Sequence, residues 1–134
     1  MCVNYQLADL LVRIKVGGRS YDKKIKVRYT DYNLRVLTVL YRHGAISSFN
    51  ILNNNDILVN LKYINGKPLI RDIKLISTPG RRIYWTLREL SLKYNKNSLN
   101  GFYIISTPYG LLTETECLLN HRITGEVLLK ITFD

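Results

Sequence analysis

Residues 106–110, Ser-Thr-Pro-Tyr-Gly, place two hydroxyls, a phenol ring and a turn within five positions. Proline fixes φ and glycine permits positive φ, so Pro108, Tyr109 and Gly110 must turn the chain. Such a turn presents Ser106, Thr107 and backbone N–H groups to a partner. Uncharged donors suit a close approach to ribose 2′-hydroxyls in the shallow minor groove of RNA. Upstream, Pro79-Gly80 leads into Arg81-Arg82-Ile83-Tyr84-Trp85. Two guanidinium forks behind a rigid corner match phosphate oxygens, and planar rings can stack on bases. Strand neighbours face opposite ways, so at least one of Tyr84 and Trp85 is expected to point inward.

Catalytic chemistry finds no comparable grouping. Cys117 and His121 stand at i and i+4, half of a zinc site, but Cys2 and His43 offer no paired spacing for the other half. A core thiol and a surface histidine are the expectation. Ser106 lacks the flanking glycines of a nucleophile elbow. Glu114 and Glu116, two apart on a helix, do not face one another. Gly17-Gly18 follows a helix where a phosphate-cradling loop opens one. No enzyme activity, metal, cofactor or small-molecule substrate is expected.

Charge points the same way as the arginine pair. The 134 residues hold 20 Lys and Arg against 10 Asp and Glu, a net +10. Residues 1–50 and 51–100 carry +6 each, and residues 101–134 carry −2. A basic body favours a polyanion as partner. With 46% hydrophobic residues the chain is no disordered tail. Two cysteines are too few for a disulfide framework, which suggests a reducing compartment. The start, Met-Cys-Val-Asn-Tyr, has no signal-peptide pattern, and the longest uncharged stretch, 97–113, is broken by Asn, Gly and Pro and cannot span a bilayer.

The elements that must position these residues follow from periodicity. Asn4 is expected to cap a helix with the stripe Leu7, Leu10, Leu11 and Ile14, and Gly17-Gly18 to stop it. Residues 23–29 alternate charged and apolar side chains, a half-buried strand with a basic outer face. Thr30 or Asp31 caps a second helix carrying Leu34, Leu37, Leu40 and Tyr41, ended by Gly44. Strands over 45–52 and 57–63 form a hairpin across Asn53 to Asp56. Asn65-Gly66-Lys67-Pro68 marks a boundary. Beyond it come a strand over 69–77, a short helical turn from the Thr86/Glu89 capping box, and a polar loop over 93–100. A buried strand over 102–105, a helix from the Thr113/Glu116 capping box and a closing strand over 127–133 complete the chain. The expected fold is α+β: an N-terminal α/β lobe over residues 1–66 (helix-strand-helix-hairpin) packed on a mainly β lobe over residues 67–134.

Four patches in order resemble the S-eight family of small-subunit ribosomal proteins. Ile105 to Glu114 is similar to its Ser-Thr-Ser-x-Gly-x-Met-Thr-Asp signature, and Ile76 to Tyr84 to its Ser-x-Pro-Gly-Arg-Arg-x-Tyr. Asp9 to Ile14 matches its Asp-x-Leu-x-Arg-Ile, and Thr124-Gly125-Glu126 its Gly-Gly-Glu. The resemblance implies a non-catalytic protein that binds the central domain of small-subunit rRNA, touches it with both lobes, and has neighbouring ribosomal proteins as further partners. It implies no membrane partner and no homo-oligomer. Carried over by position, Ser106, Thr107 and Gly110 form the RNA-reading loop, with Thr113 at its helix start. Arg81, Arg82 and Tyr84 support or extend it, Arg13 and Lys15 contribute from the first lobe, and Gly125 and Glu126 buttress the loop.

The chain departs from that pattern at Pro108, where the family has a second serine, and at Tyr109, where a lysine is usual. Thr124 replaces the first glycine of the closing pair, and Leu90-Ser91 stands where a Leu-Pro pair is expected. Tyr109 is expected to stack on RNA in place of the lost cation. Twelve asparagines, fourteen isoleucines and ten tyrosines suggest an AT-rich organelle genome, mitochondrial first and plastid second. A free regulatory RNA- or DNA-binding protein is the alternative reading of the same basic face.

Overall fold

The α-helix Val3–Arg19 (α1) opens the computed structural model, which describes residues 3–53, 55–78, 80–97 and 101–133. Leu7, Leu10, Leu11 and Ile14 are all buried, as their spacing requires. Each such side chain contributes about 1.5–3 kcal/mol by leaving water. Two expectations about the ends of α1 fail. Asn4 lies inside the helix, its side chain outside the described residues, and Gly17 and Gly18 do not end it. A Cβ on Gly17 would stand 2.6 Å from Ile25 Cγ2, so this glycine lets the helix press on the strand beside it. Contact with the sheet outweighs the poor helix propensity of glycine.

Strand β1 (Lys24–Arg28) keeps Lys24, Lys26 and Arg28 exposed and buries Val27. Helix α2 (Asp31–Arg42) is capped by Thr30, whose hydroxyl accepts from Asn33 N at 3.0 Å. Its buried face is Asn33, Val36, Leu37, Val39 and Leu40, so Tyr41, expected on that stripe, is exposed. Gly44, at φ +75, follows the end of the helix. Strands β2 (Ile46–Leu52) and β3 (Asp56–Leu61) form the expected hairpin. β3 is central, in the order β1-β3-β2, with both pairings antiparallel. The helices cover the face that carries Val27, Ile57 and Val59.

Asn65 and Gly66, both at positive φ, turn a small ribbon, β4 (Tyr63–Ile64) with β5 (Lys67–Pro68). Strand β6 (Ile70–Leu75) follows, and the chain divides into two compact units at Asp72/Ile73, within it.

In the second unit the Thr86/Glu89 box forms: Glu89 N donates to Thr86 Oγ1 at 3.2 Å. The helix it starts, α3 (Leu87–Asn97), is longer than a turn and takes in much of the stretch read as a polar loop. Leu90 is fully buried and Lys93 sits over the Trp85 ring at 5.4 Å, so two anchors suffice to order a mostly polar helix. Strands β7 (Gly101–Thr107), β8 (Gly110–Thr113) and β9 (Glu126–Phe133) join β6 in a sheet of order β6-β9-β7-β8. β8 occupies residues 110–113, where the sequence suggests the turn and the helix start. The π-helix Glu116–His121 comes only after it. The core gathers Leu90, Tyr103, Ile105, Leu112, Cys117 and Val127, with Trp85 and Ile83 packed against it. Helices beside antiparallel sheets make the fold α+β, mainly β in its C-terminal part.

Candidate nucleic-acid interface

Most of the expected site residues converge on one end of the second sheet. Ser106 and Thr107 end β7, Gly110 begins β8, and Pro108-Tyr109 is the two-residue turn between them. Thr107 holds that turn: its hydroxyl donates to Gly110 O at 2.9 Å and accepts from Tyr109 N at 3.2 Å. Tyr109 stands outward, 67% exposed. Ser106 and Thr107 are half-buried at the strand end, so the turn proper offers the proline, the phenol ring and backbone.

Glu126, at the start of β9, joins the parts. It pairs with Ser106 on one side and bridges Tyr84 on the other. Strands lie about 4.8 Å apart, so Tyr84 and Ser106 are about 10 Å from each other across Glu126. Arg82 reaches the Glu126 carboxylate at 3.2 Å, which orients its guanidinium beside the same edge. Tyr84 is 65% exposed, whereas Trp85 turns inward and meets Tyr103 edge-on at 4.9 Å. One ring of the pair faces out and one faces in, as alternation requires.

Gly125 allows this assembly. A Cβ there would lie 1.9 Å from Ser106 O, so any side chain would force β9 away from the loop. The neighbouring Thr124 donates from its hydroxyl to Trp85 O at 2.8 Å and ties the closing segment to the aromatic corner. The corner itself is closed by two 3.0 Å backbone bonds between Thr78 and Arg81, which leave Arg81 exposed at its tip. Pro79 lies outside the described residues.

Thr113 is placed differently. Only 1% exposed, it receives no access from solvent and serves the capping box with Glu116, whose carboxylate accepts from Thr113 N at 3.2 Å. Its contribution is to fix the end of β8.

Arg13 and Lys15 belong to the first unit. Arg13 pairs with Asp9 at 3.2 Å and donates to Lys26 O at 3.3 Å. It lines a cleft of about 520 Å³ with Lys26, Val27, Arg28, Tyr29, Asn55 and Asp56. Lys15 points elsewhere, to Asp72 at 3.0 Å. Positions i and i+2 of a helix are about 200° apart, so the two cations occupy different faces. β1 therefore adds Lys26 and Arg28 beside Arg13; their alternation was legible, but their meeting with α1 was not.

Sequence reasoning also left Ser77 and Glu114 out of the site. Ser77 is fully buried, donates to Val127 O at 2.7 Å and accepts from Ile83 N at 2.9 Å, so it fixes both sides of the arginine corner. Glu114 is 1% exposed and accepts from Tyr103 N at 3.0 Å. Burial raises its carboxyl to about 7, against the opposing pull of that hydrogen bond and of Lys130. Lys130 lies over the Tyr103 ring at 5.5 Å. Burial also lifts the Cys117 thiol to about 11, helped by Glu116 and Glu114, so it stays a protonated core thiol at neutral pH. Cys2 lies outside the described residues, as does the side chain of His121, and among the described residues no group of three or more His, Cys, Asp and Glu could hold a metal ion. No described helix is long and apolar enough to cross a membrane.

Comparison with known proteins returns the same family over nearly the full length. The family described as "Ribosomal protein S8" matches residues 5–132. Among individual relatives, "Small ribosomal subunit protein uS8m" of Acanthamoeba castellanii is 40% identical over 125 residues, covering 93% of this chain and 97% of that protein. "Small ribosomal subunit protein uS8" of Zymomonas mobilis subsp. mobilis is 37% identical over 134 residues, covering 98% and 99%. Its namesake in Rickettsia typhi is 35% identical over 137 residues, with the same coverage.

Proposed function

This chain belongs to the ribosomal protein S8 family, and from that premise we propose that it binds and stabilises the central domain of small-subunit rRNA during assembly and translation. Its role in the small ribosomal subunit is structural and not enzymatic. The compartment is the mitochondrion, in keeping with the similarity to a mitochondrial relative.

The observation that carries the rRNA reading is the meeting of Arg81, Arg82, Tyr84, Ser106, Thr107, Tyr109 and Gly110 around Gly125-Glu126 at one sheet end. The arginines supply phosphate contacts, and Tyr84 and Tyr109 supply exposed rings. Ser106, Thr107 and the backbone of the turn supply uncharged groups small enough to approach a minor groove. Gly125, Glu126, Thr113 and Ser77 hold the arrangement without touching RNA through their side chains. In the first unit Arg13, with Lys26 and Arg28, offers a second phosphate-binding patch, and Lys15 adds a cation on another face.

Crosslinking with sequencing of the bound RNA tests this. One junction in the central domain of the mitochondrial small-subunit rRNA should dominate, with crosslinks at Tyr109 and near Arg81. A chain found mainly off the small subunit in gentle lysates, with scattered RNA targets, would favour a free regulatory RNA- or DNA-binding protein instead.

A further inference from the structure

The two edges of the first sheet differ in chemistry. β1 carries Lys24, Lys26 and Arg28 on its exposed positions, the kind of charged edge that repels another strand. β2, Ile-Ser-Ser-Phe-Asn-Ile-Leu, has no charge and no proline along seven residues. Among the described residues only β3 pairs with it, so its outer row of backbone donors and acceptors faces away from the sheet. The irregularity between Ile46 and Ser48 is confined to its start, and from Ser48 to Leu52 the register with β3 is continuous.

An apolar shelf runs beside that edge. Phe49 and Ile51 share the face that pairs with the buried Val59 and Ile57. Tyr41 of α2 meets Phe49 edge-on at 6.1 Å and is 53% exposed, and Ile51 is 48% exposed. On the opposite face of the strand stand Ser48, Asn50 and Leu52, with Leu58 of β3 opposite Asn50. An extended segment pairing with this edge would thus find an apolar surface for alternate residues and a mixed polar and apolar surface for the rest.

We propose that the outer edge of β2 takes an extended segment of a neighbouring small-subunit protein as a fourth strand of this sheet. RNA does not fit, because β2 offers no cation to a phosphate. A second copy of this chain fits poorly, because each brings a net charge of +10. A heterologous segment that is uncharged or acidic, with alternating apolar residues, satisfies both the backbone and the shelf. The proposal rests on the ribosomal reading.

Its test uses the full chain with a photoreactive benzophenone amino acid at Asn50, incorporated into mitochondrial small subunits that are purified, irradiated and analysed by mass spectrometry. The expected product is a crosslink to one extended segment of one other subunit protein, lost when Ile51→Lys places a charge on the shelf. The same probe at Ser47, also exposed, stands in if the Asn50 variant does not enter subunits. With the chain present in the subunit, crosslinks to rRNA, to a second copy, or to nothing overturn the docking edge alone. If the unmodified chain is absent from the subunit fraction, the ribosomal reading falls and takes the docking edge with it.

Discussion

Glu114 makes the stability of this protein depend on pH in a direction unusual for a carboxylate. The side chain is buried at the end of β8, and burial lifts its carboxyl from 4.5 in the unfolded chain to about 7. Between those values the folded protein keeps a proton that the unfolded chain has released, so stability falls as pH rises. Below about 4.5 the contribution is complete, and above about 7 it is gone. A difference of about 2.5 pH units, at about 1.4 kcal/mol each, corresponds to a loss of about 3 kcal/mol. Glu114→Gln should remove that dependence, because the amide oxygen can still accept from Tyr103 N but cannot ionise. Urea unfolding midpoints at pH 5, 6, 7 and 8 measure it. The wild-type midpoint should drop across the series and the difference between the two proteins should shift by about 3 kcal/mol in favour of the variant. Parallel pH curves for the two proteins would refute the reasoning, as would a relative gain in wild-type stability with rising pH.

Three further outcomes are expected at the sheet end. Arg81→Ala with Arg82→Ala should weaken rRNA binding and reduce the log–log salt slope by about 0.7–0.9 per lost phosphate contact in salt titrations. An unchanged slope would make both guanidiniums structural, as the Arg82–Glu126 pair already is in part. Tyr109→Ala should cost roughly 1–3 kcal/mol of binding, on the scale of a ring stacked on a base, and Tyr109→Phe much less; a Tyr109 ring packed against protein in the assembled subunit would refute this. Gly125→Ala should destabilise the second unit by at least about 1–3 kcal/mol, the usual range for overpacking, because its Cβ meets Ser106 O at 1.9 Å. Thermal unfolding checks it, and an unchanged midpoint would mean that the strands yield without cost.

The sequence by itself determined the local elements and the site's ingredients. The stripe of α1, the alternation of β1, the caps at Thr30 and Thr86, and the inward turn of one ring at 84–85 depend on neighbours within a few positions. The tertiary structure decided whatever depends on residues far apart. Gly17-Gly18 read as a stop because glycine breaks isolated helices, yet Ile25 pressing on Gly17 keeps the helix running. Residues 93–97 read as loop because they are polar, yet Trp85 and the core under Leu90 give the helix something to rest on. β8 was hidden in four residues whose strand character comes from pairing with β7. Arg13 and Lys15 looked like one basic end, and separate partners, Asp9 with Lys26 for one and Asp72 for the other, set them apart. Glu126 was visible as a family residue, but its place between Ser106, Tyr84 and Arg82 follows from strand order. Propensity and capping act over one or two turns of chain, whereas close approach, burial and cross-strand pairing join residues that only the folded chain brings together.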